Sequence, residues 1–406
     1  MKLPFRQKTI KGDLVVIDSQ FPQKDPFAFR NAEINEYIQK VENFDSYTMP
    51  TTFPDANAPF SHSYGLTHAE FVENKKGYLK HYPSNSAKLH YIFDNQNYNF
   101  KLAYSFFLAE TYVLLPFYEK HKIPFVFVLY PGGLFGLNSD PSDAMLQKIM
   151  ASPCFRGVIV TQQITKDYLT ENNFCDSKLV HYIYGGMVQF KKKELLAKQQ
   201  YGRDKQTFDI CFVAAKYSER GVDKGYDLFI ETAKKLAKST HDVMFHIVGG
   251  FDETEIDVTE LEGRITFYGF RGPDFLKEFY SRMDIFLAPN RPGQLFGGNF
   301  DGFPLGIDAG YCGVALFVGD ELKMNHHYAP DKELVILKLE ADWIADTIAG
   351  YYNDPQKLYD LSAKGQARTQ QLFDLDYQID ERLKVFSEFV TIKRRPQSSN
   401  KNGASE

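Results

Sequence analysis

The chain predicts an α/β protein built from two doubly wound parallel domains that face each other across a cleft. Short β-branched and aromatic runs alternate with helical patterns through most of its length, as parallel βαβ units require. The alternation pauses once, in a polar stretch from Phe190 to Asp209, and then resumes. A length of 406 residues leaves room for two domains of ordinary size.

In the first half, Asp13–Ile17 reads as a strand and Asn31–Val41 as the helix after it. Lys88–Phe93 is the next strand, followed by a helix through Leu102 to His121 and the strand Pro124–Leu129. Arg156–Thr161 and Lys178–Ile183 complete this half. The second series opens with the strand Asp209–Val213 and a helix from Asp227 to Ser239. Strands Val243–Val248, Ile265–Tyr268 and Ile285–Ala288 follow, then a short helix Leu305–Tyr311 and the strand Val314–Val318. Pro355–Phe373 reads as a helix with Asp354 as its cap and Pro355 in its first turn, and Asp380–Val390 as the last helix. The expected division is 1–190, a linker at 191–208, a second domain at 209–373, a terminal helix at 374–392 and a disordered tail at 393–406.

Composition bounds the function. Hydrophobic residues make up 43% and charged residues 24%, which excludes an intrinsically disordered chain. A formal charge of −5 lacks the basic excess of a general nucleic-acid binder. Cys154, Cys175, Cys211 and Cys312 have no CxxC spacing, so neither a disulfide framework nor a zinc site is expected. No apolar run approaches the roughly 18 residues needed to cross a bilayer, and the start shows no secretory pattern, so a cytoplasmic location is expected. Lys191–Lys193 and Lys393–Arg395 offer cations for peripheral contact with anionic lipid, although short basic runs are ordinarily just solvated.

Two segments carry chemistry. Asp301-Gly302-Phe303-Pro304-Leu305-Gly306-Ile307-Asp308 leads from a strand into a short helix. Its glycines leave backbone amides open to a ligand, a helix N-terminus suits phosphate, and an acid in the position of Asp308 accepts hydrogen bonds from a ribose diol. Asp301 as a cap and Asp308 as a solvated helix residue is the competing reading. Upstream, Lys216, Arg220 and Lys224-Gly225 follow the first strand of the second domain. Fixed cations there would stabilise a departing diphosphate, against the ordinary reading of solvated loop lysines.

These segments resemble the signatures of retaining glycosyltransferases with two Rossmann-like domains, the GT-B fold, and of glycosyltransferase family 4 (glycosyl transferases group 1) in particular. The first is similar to the family's E-G-F-G/P…E-A-M-x-x-G motif, with both glutamates replaced by aspartate and the spacing one residue shorter. The second is similar to its F-V-G-R…K-G…L-x-x-A segment. His246–Gly250, Arg264–Phe270 and Met283–Asn290 resemble further motifs in the family's order, so the likeness runs from about Ile210 to Val390. The resemblance implies Asp301, Lys216 and Lys224 as catalytic residues. It implies donor binding by Arg220, Gly302, Phe303, Pro304, Leu305, Asp308, Gly249 and Phe270, and a C-terminal helix returning to the first domain.

The N-terminal half resembles the family only in outline. Arg30 stands near the position of the usual Gly-Gly loop, and Tyr130 stands where many relatives carry a His, which marks both as acceptor-side residues. Tyr91, Tyr98, Phe106 and Phe107 are either core or surfaces for stacking a sugar ring. The expected partners are a nucleotide-sugar donor and a saccharide or lipid-linked acceptor, with no nucleic acid, no cofactor and no metal. A nucleotide-sugar-dependent transferase of cell-surface glycan assembly is the first reading. A sugar-nucleotide epimerase or hydrolase of the same fold, or a non-catalytic binding subunit, is the alternative.

Overall fold

A computed structural model describes residues 9–24, 29–54, 58, 60–188, 190–293 and 306–396. The N-terminal domain runs β1 (Thr9–Asp18), α1 (Phe29–Lys40), β2 (Phe44–Thr48), α2 (His68–Tyr78), β3 (Leu89–Tyr91), β4 (Asn97–Phe106), α3 (Leu108–His121), β5 (Phe125–Leu129), α4 (Asp140–Met150), β6 (Phe155–Val160), α5 (Gln163–Glu171) and β7 (Val180–Tyr182). The second domain runs β8 (Phe208–Ala214), α6 (Tyr226–Ser239), β9 (Val243–Gly249), β10 (Ile265–Phe267), α7 (Pro273–Arg282), β11 (Ile285–Ala288), α8 (Ile307–Tyr311), β12 (Ala315–Val318), β13 (Val335–Ile336), α9 (Ala341–Tyr352) and α10 (Pro355–Leu372). The last helix, α11 (Leu375–Ser387), packs back on the first domain.

Each domain carries one parallel sheet, in the order β3-β2-β1-β4-β5-β6-β7 and β10-β9-β8-β11-β12-β13. Sequence order reverses between β1 and β4 in the first sheet and between β8 and β11 in the second. Right-handed crossovers therefore leave in opposite directions on the two sides of each reversal, opening a crevice at the carboxyl ends of the strands. In the second domain Phe208, Ile210, Phe212, Ile285 and Leu287 face α6 and α9, while Cys211, Phe286 and Val248 face α7 and α8. Both faces are covered, so the loops at the strand ends are left to meet a ligand.

Three expectations need correction here. The helix expected from Leu102 to His121 is a strand and a helix in succession. Residues 97–102 alternate exposed and buried as an edge-like strand should, but Leu102–Phe106 is buried on both faces of a central strand and reads as a continuous apolar run. The chain breaks at Phe107, which lies at φ 59°. At the far end, Lys393–Arg395 was expected to be disordered. Instead the Glu42 amide donates to the Lys393 carbonyl at 2.7 Å and the Arg395 amide to the Lys40 carbonyl at 2.8 Å, so these basic residues are tied down. The last helix also begins five residues earlier than its pattern suggested, capped by Asp374, which accepts from the Tyr377 amide.

The polar segment after Phe190 is docked on the second domain. The Gln199 amide donates to the Ser281 carbonyl, and Lys205 bridges Asp209 and Asp284. The chain passes between the domains twice, near Tyr184–Gly186 and at Phe373. A Cβ on Gly185 would lie 2.3 Å from the Phe373 ring, and Gln378 Nε2 donates to the Tyr184 carbonyl at 2.8 Å.

One tie between α11 and the first domain is polar and fully buried. Glu33 and Arg382 are both 0% exposed, with Arg382 Nε 3.3 Å from Glu33 Oε1. Tyr37, Tyr104 and Tyr130 donate their hydroxyls to Glu33, and Arg382 donates to the Tyr130 oxygen and to Gln378. A buried charge pair contributes little net stability when intact, but removing one partner leaves the other charge stranded. Arg382→Met is therefore expected to lower the unfolding free energy by about 3–5 kcal/mol, read by urea denaturation; a loss below about 1 kcal/mol would contradict the assignment.

Candidate functional site

The two loops that diverge at the β8/β11 reversal form the centre of the site. After β8 the chain runs through Lys216, Tyr217 and Arg220 into a tight turn, with Arg220 at φ 52°, Gly221 at φ 58° and Gly225 at φ 71°. Gly225 is required twice over. Its backbone is left-handed, and a Cβ there would lie 2.0 Å from the Pro289 carbonyl oxygen at the end of β11. This close approach fixes the neighbouring Lys224 beside the end of β11. The Arg291 amide donates to the Asp223 carbonyl at 3.1 Å, and the Arg291 guanidinium pairs with Asp227, so the two loops are pinned together.

Lys224 is 4% exposed, with its ammonium 3.8 Å from Asp223 Oδ2 and 5.3 Å from the centre of the Tyr217 ring. Burial pushes its pKa below the usual lysine range, and Asp223 opposes that shift. Lys216 lies half-buried and pairs with Glu255. Arg220 is exposed. Gly249 ends β9 at φ 128°, where a Cβ would fall 1.8 Å from the Ala214 carbonyl oxygen. A Cβ on the next residue, Gly250, would lie 3.3 Å from both Lys216 and the Phe270 ring, so these two side chains flank one glycine. Phe270 is 71% exposed.

The structure thus brings Lys216, Lys224, Gly249 and Phe270 to adjoining strand ends of one sheet, with Arg220 in the same loop. Asp308 is half-buried at the second position of α8, a helix of five residues. That helix sits on the opposite sheet face from α6 and approaches the interdomain crossing, where a Cβ on Gly186 would lie 3.8 Å from Ile307. Asp301, Gly302, Phe303, Pro304 and Leu305 lie outside the described residues.

The first domain places Arg30 at its own reversal, between β1 and β4. One guanidinium nitrogen donates to Asp18 Oδ2 at 2.9 Å and to Glu110 Oε2 at 3.3 Å, while the Phe106 and Phe107 rings lie 5.5 and 5.1 Å from its carbon. Ser19 donates to Glu110 through both its amide and its hydroxyl. Tyr130 does not share this site. It is 5% exposed, and its hydroxyl is spent on Glu33 and Arg382, so its acceptor-side reading is replaced by a role in docking α11. Tyr98 and Phe106 are core residues as well.

Sequence reasoning passed over Asp223, Tyr217, Arg291 and Glu255. Asp223 and Tyr217 sit inside the basic segment already singled out. Arg291 and Glu255 carry no local signal, because each meets its partner only through the sheet. Among the described residues, no group of three or more His, Cys, Asp or Glu side chains is arranged to hold a metal ion, and no helix is long and apolar enough to cross a membrane.

Comparison with known proteins agrees with this architecture. Residues 183–368 match the family described as glycosyl transferases group 1. No curated protein matches the chain by sequence. Among solved structures, sucrose-phosphate synthase from Thermosynechococcus elongatus superposes with a TM-score of 0.61 at 15% identity, covering 93% of this chain and 98% of that one. Anabaena Alr3699/HepE in complex with UDP and glucose gives 0.62 at 14%, covering 93% and 100%. A glycosyltransferase from Rickettsia africae ESF-5 gives 0.61 at 13%, covering 93% and 98%. The fold is GT-B, and residues 183–368 resemble glycosyl transferases group 1.

Burial and the neighbouring Asp18 charge push the Glu110 carboxyl up to about 8, against the pull of Arg30 and the Ser19 donors. A folded-state value above the unfolded one, about 4.3, means the folded chain holds more protons between those limits. Stability from this group is therefore lost as pH rises through the window. Glu110→Gln removes that dependence, so its melting temperature relative to the wild type is expected to rise between pH 5.5 and 8. A gap that does not vary with pH would contradict the assignment.

Proposed function

We propose that this protein is a nucleotide-sugar-dependent glycosyltransferase. It moves a hexose-type sugar to a saccharide or lipid-linked acceptor in the assembly of a cell-surface glycan. The observation that carries the reading is the basic loop at the β8/β11 reversal, where Lys224 is buried beside the loop leaving β11. A buried ammonium interacts more strongly with a diphosphate than an exposed one does, and more strongly still as the leaving group gains charge. HepE, which shares the fold, is seen in complex with UDP and glucose, and this favours a nucleotide-sugar donor of that kind here.

In this reading the donor diphosphate lies against Lys216, Arg220 and Lys224, Asp308 holds the ribose, and Phe270 and Gly249 border the base. Asp301 and the Gly302, Phe303 and Leu305 amides meet the sugar and phosphates. The acceptor enters from the first domain past Arg30. Transfer proceeds with retention. The bond from the sugar anomeric carbon to the phosphate oxygen breaks, and the acceptor oxygen bonds to the same face. The acceptor proton passes to the departing phosphate oxygen. Cations of the protein carry the developing charge, so the reaction needs no metal ion. The protein works in the cytoplasm, with peripheral contact to the membrane where its acceptor is lipid-linked.

Turnover measured over a panel of nucleotide sugars tests the reading. Lys224→Ala is expected to lower kcat/KM for the productive donor by about 100-fold or more, as loss of a fixed charge-stabilising donor does elsewhere, and a chelator is expected to leave the rate unchanged. An unaltered rate in Lys224→Ala would refute the site. Product formed without any acceptor would favour an epimerase or a hydrolase.

A further inference from the structure

We propose that Glu255 is an internal competitor for the donor's diphosphate. Its carboxylate holds the Lys216 ammonium in the unliganded protein and yields it only to a ligand of sufficient negative charge. The inference rests on the donor reading above and assigns a selectivity device to the same site.

The segment after β9 is rich in acids, with Asp252, Glu253, Glu255, Asp257, Glu260 and Glu262 within a few turns of chain. Three of them have local work. Asp252 accepts from the amide and hydroxyl of Thr254, and Asp257 does the same for Thr259. Glu260 pairs with Lys234 and Lys238 of α6. Glu255 forms the ion pair with Lys216 of the basic loop, and the Asp252 carboxylate also feels the Lys216 charge; the Glu255 side chain is 16% exposed.

The acidic segment is also keyed to the basic loop by packing. The Phe251 ring lies 4.6 Å from Tyr226 and 5.4 Å from Phe212. The Tyr226 hydroxyl donates to the Asp252 carbonyl at 3.3 Å. A Cβ on Gly221, inside the basic loop, would lie 2.3 Å from Phe251. Glu255 is therefore presented to Lys216 from a fixed base, so its pairing is built into the fold.

Each of the two lysines is thus accompanied by an acid, Lys216 by Glu255 and Lys224 by Asp223. A ligand must offer Lys216 more than Glu255 does before the pair gives way. A diphosphate can do this, and an uncharged nucleoside cannot. The competing carboxylate therefore subtracts from the binding of every ligand that engages Lys216, and selectivity is the difference that survives.

Calorimetric titration of UDP, GDP, ADP and TDP, each beside its parent nucleoside, tests the proposal on wild type and Glu255→Gln. The variant is expected to bind the diphosphate that the wild type accepts about 3- to 10-fold more tightly, in the range of a partly screened ion pair. Affinity for the matching nucleoside is expected to stay the same. In a Lys216→Met background the Glu255→Gln change is expected to give no gain. Equal or weaker diphosphate binding by Glu255→Gln, or a gain that persists without Lys216, would overturn the competitor role. Absence of binding by any diphosphate to either chain would instead overturn the donor reading on which it rests.

Discussion

Everything at the candidate site depends on the reversal of strand order between β8 and β11. Two neighbouring parallel strands send their crossovers to opposite faces of the sheet, so the loops at their carboxyl ends cannot close over one another. One loop carries Lys216, Arg220 and Lys224 toward α6, and the other leads to Asp308 on α8. The contact of Gly225 with the Pro289 carbonyl and the Arg291–Asp227 pair hold the start of the second loop against the first. Because both sheet faces are packed, the strand ends at this reversal are where the loops stay open to a ligand.

The two domains are connected by more than the chain between them. Helix α11 leaves the second domain at Phe373 and buries Ile379, Leu383 and Phe386 among Leu14, Val16, Tyr37 and Tyr104 of the first. The Glu33–Arg382 pair lies inside that contact, hydrogen-bonded to three tyrosines and a glutamine. Such a network is costly to leave half-made, so it specifies one seating of the helix over others of similar apolar area. It also explains why a tyrosine at position 130, at the carboxyl end of β5, faces inward. Its hydroxyl completes the shell of a buried carboxylate.

Much of the fold was legible because parallel strands buried on both faces announce themselves as short apolar runs separated by helical patterns. The same property hid the boundary at Phe107, where a central strand runs straight into a buried helix with no polar punctuation. Strand β2, Phe-Asp-Ser-Tyr-Thr, was missed because two of its buried positions are Ser46 and Thr48. At the site, local motifs located Lys216 and Lys224-Gly225, since the turn requires glycine and the loop stays contiguous in sequence. The partners of those cations were partly illegible. Glu255 lies 39 residues from Lys216, and Glu110 lies 80 residues from Arg30, so only the folded sheet brings them together.

The central claim is that a pyrophosphate group settles at the β8/β11 crevice. A crystal structure of the protein grown with the nucleoside diphosphate that stabilises it most would test this directly. Phosphate oxygens are expected within hydrogen-bonding distance of the Lys224 ammonium, with the ribose directed toward Asp308. Well-ordered nucleotide bound in the first domain, with the Lys216–Lys224 loop empty, would contradict the account.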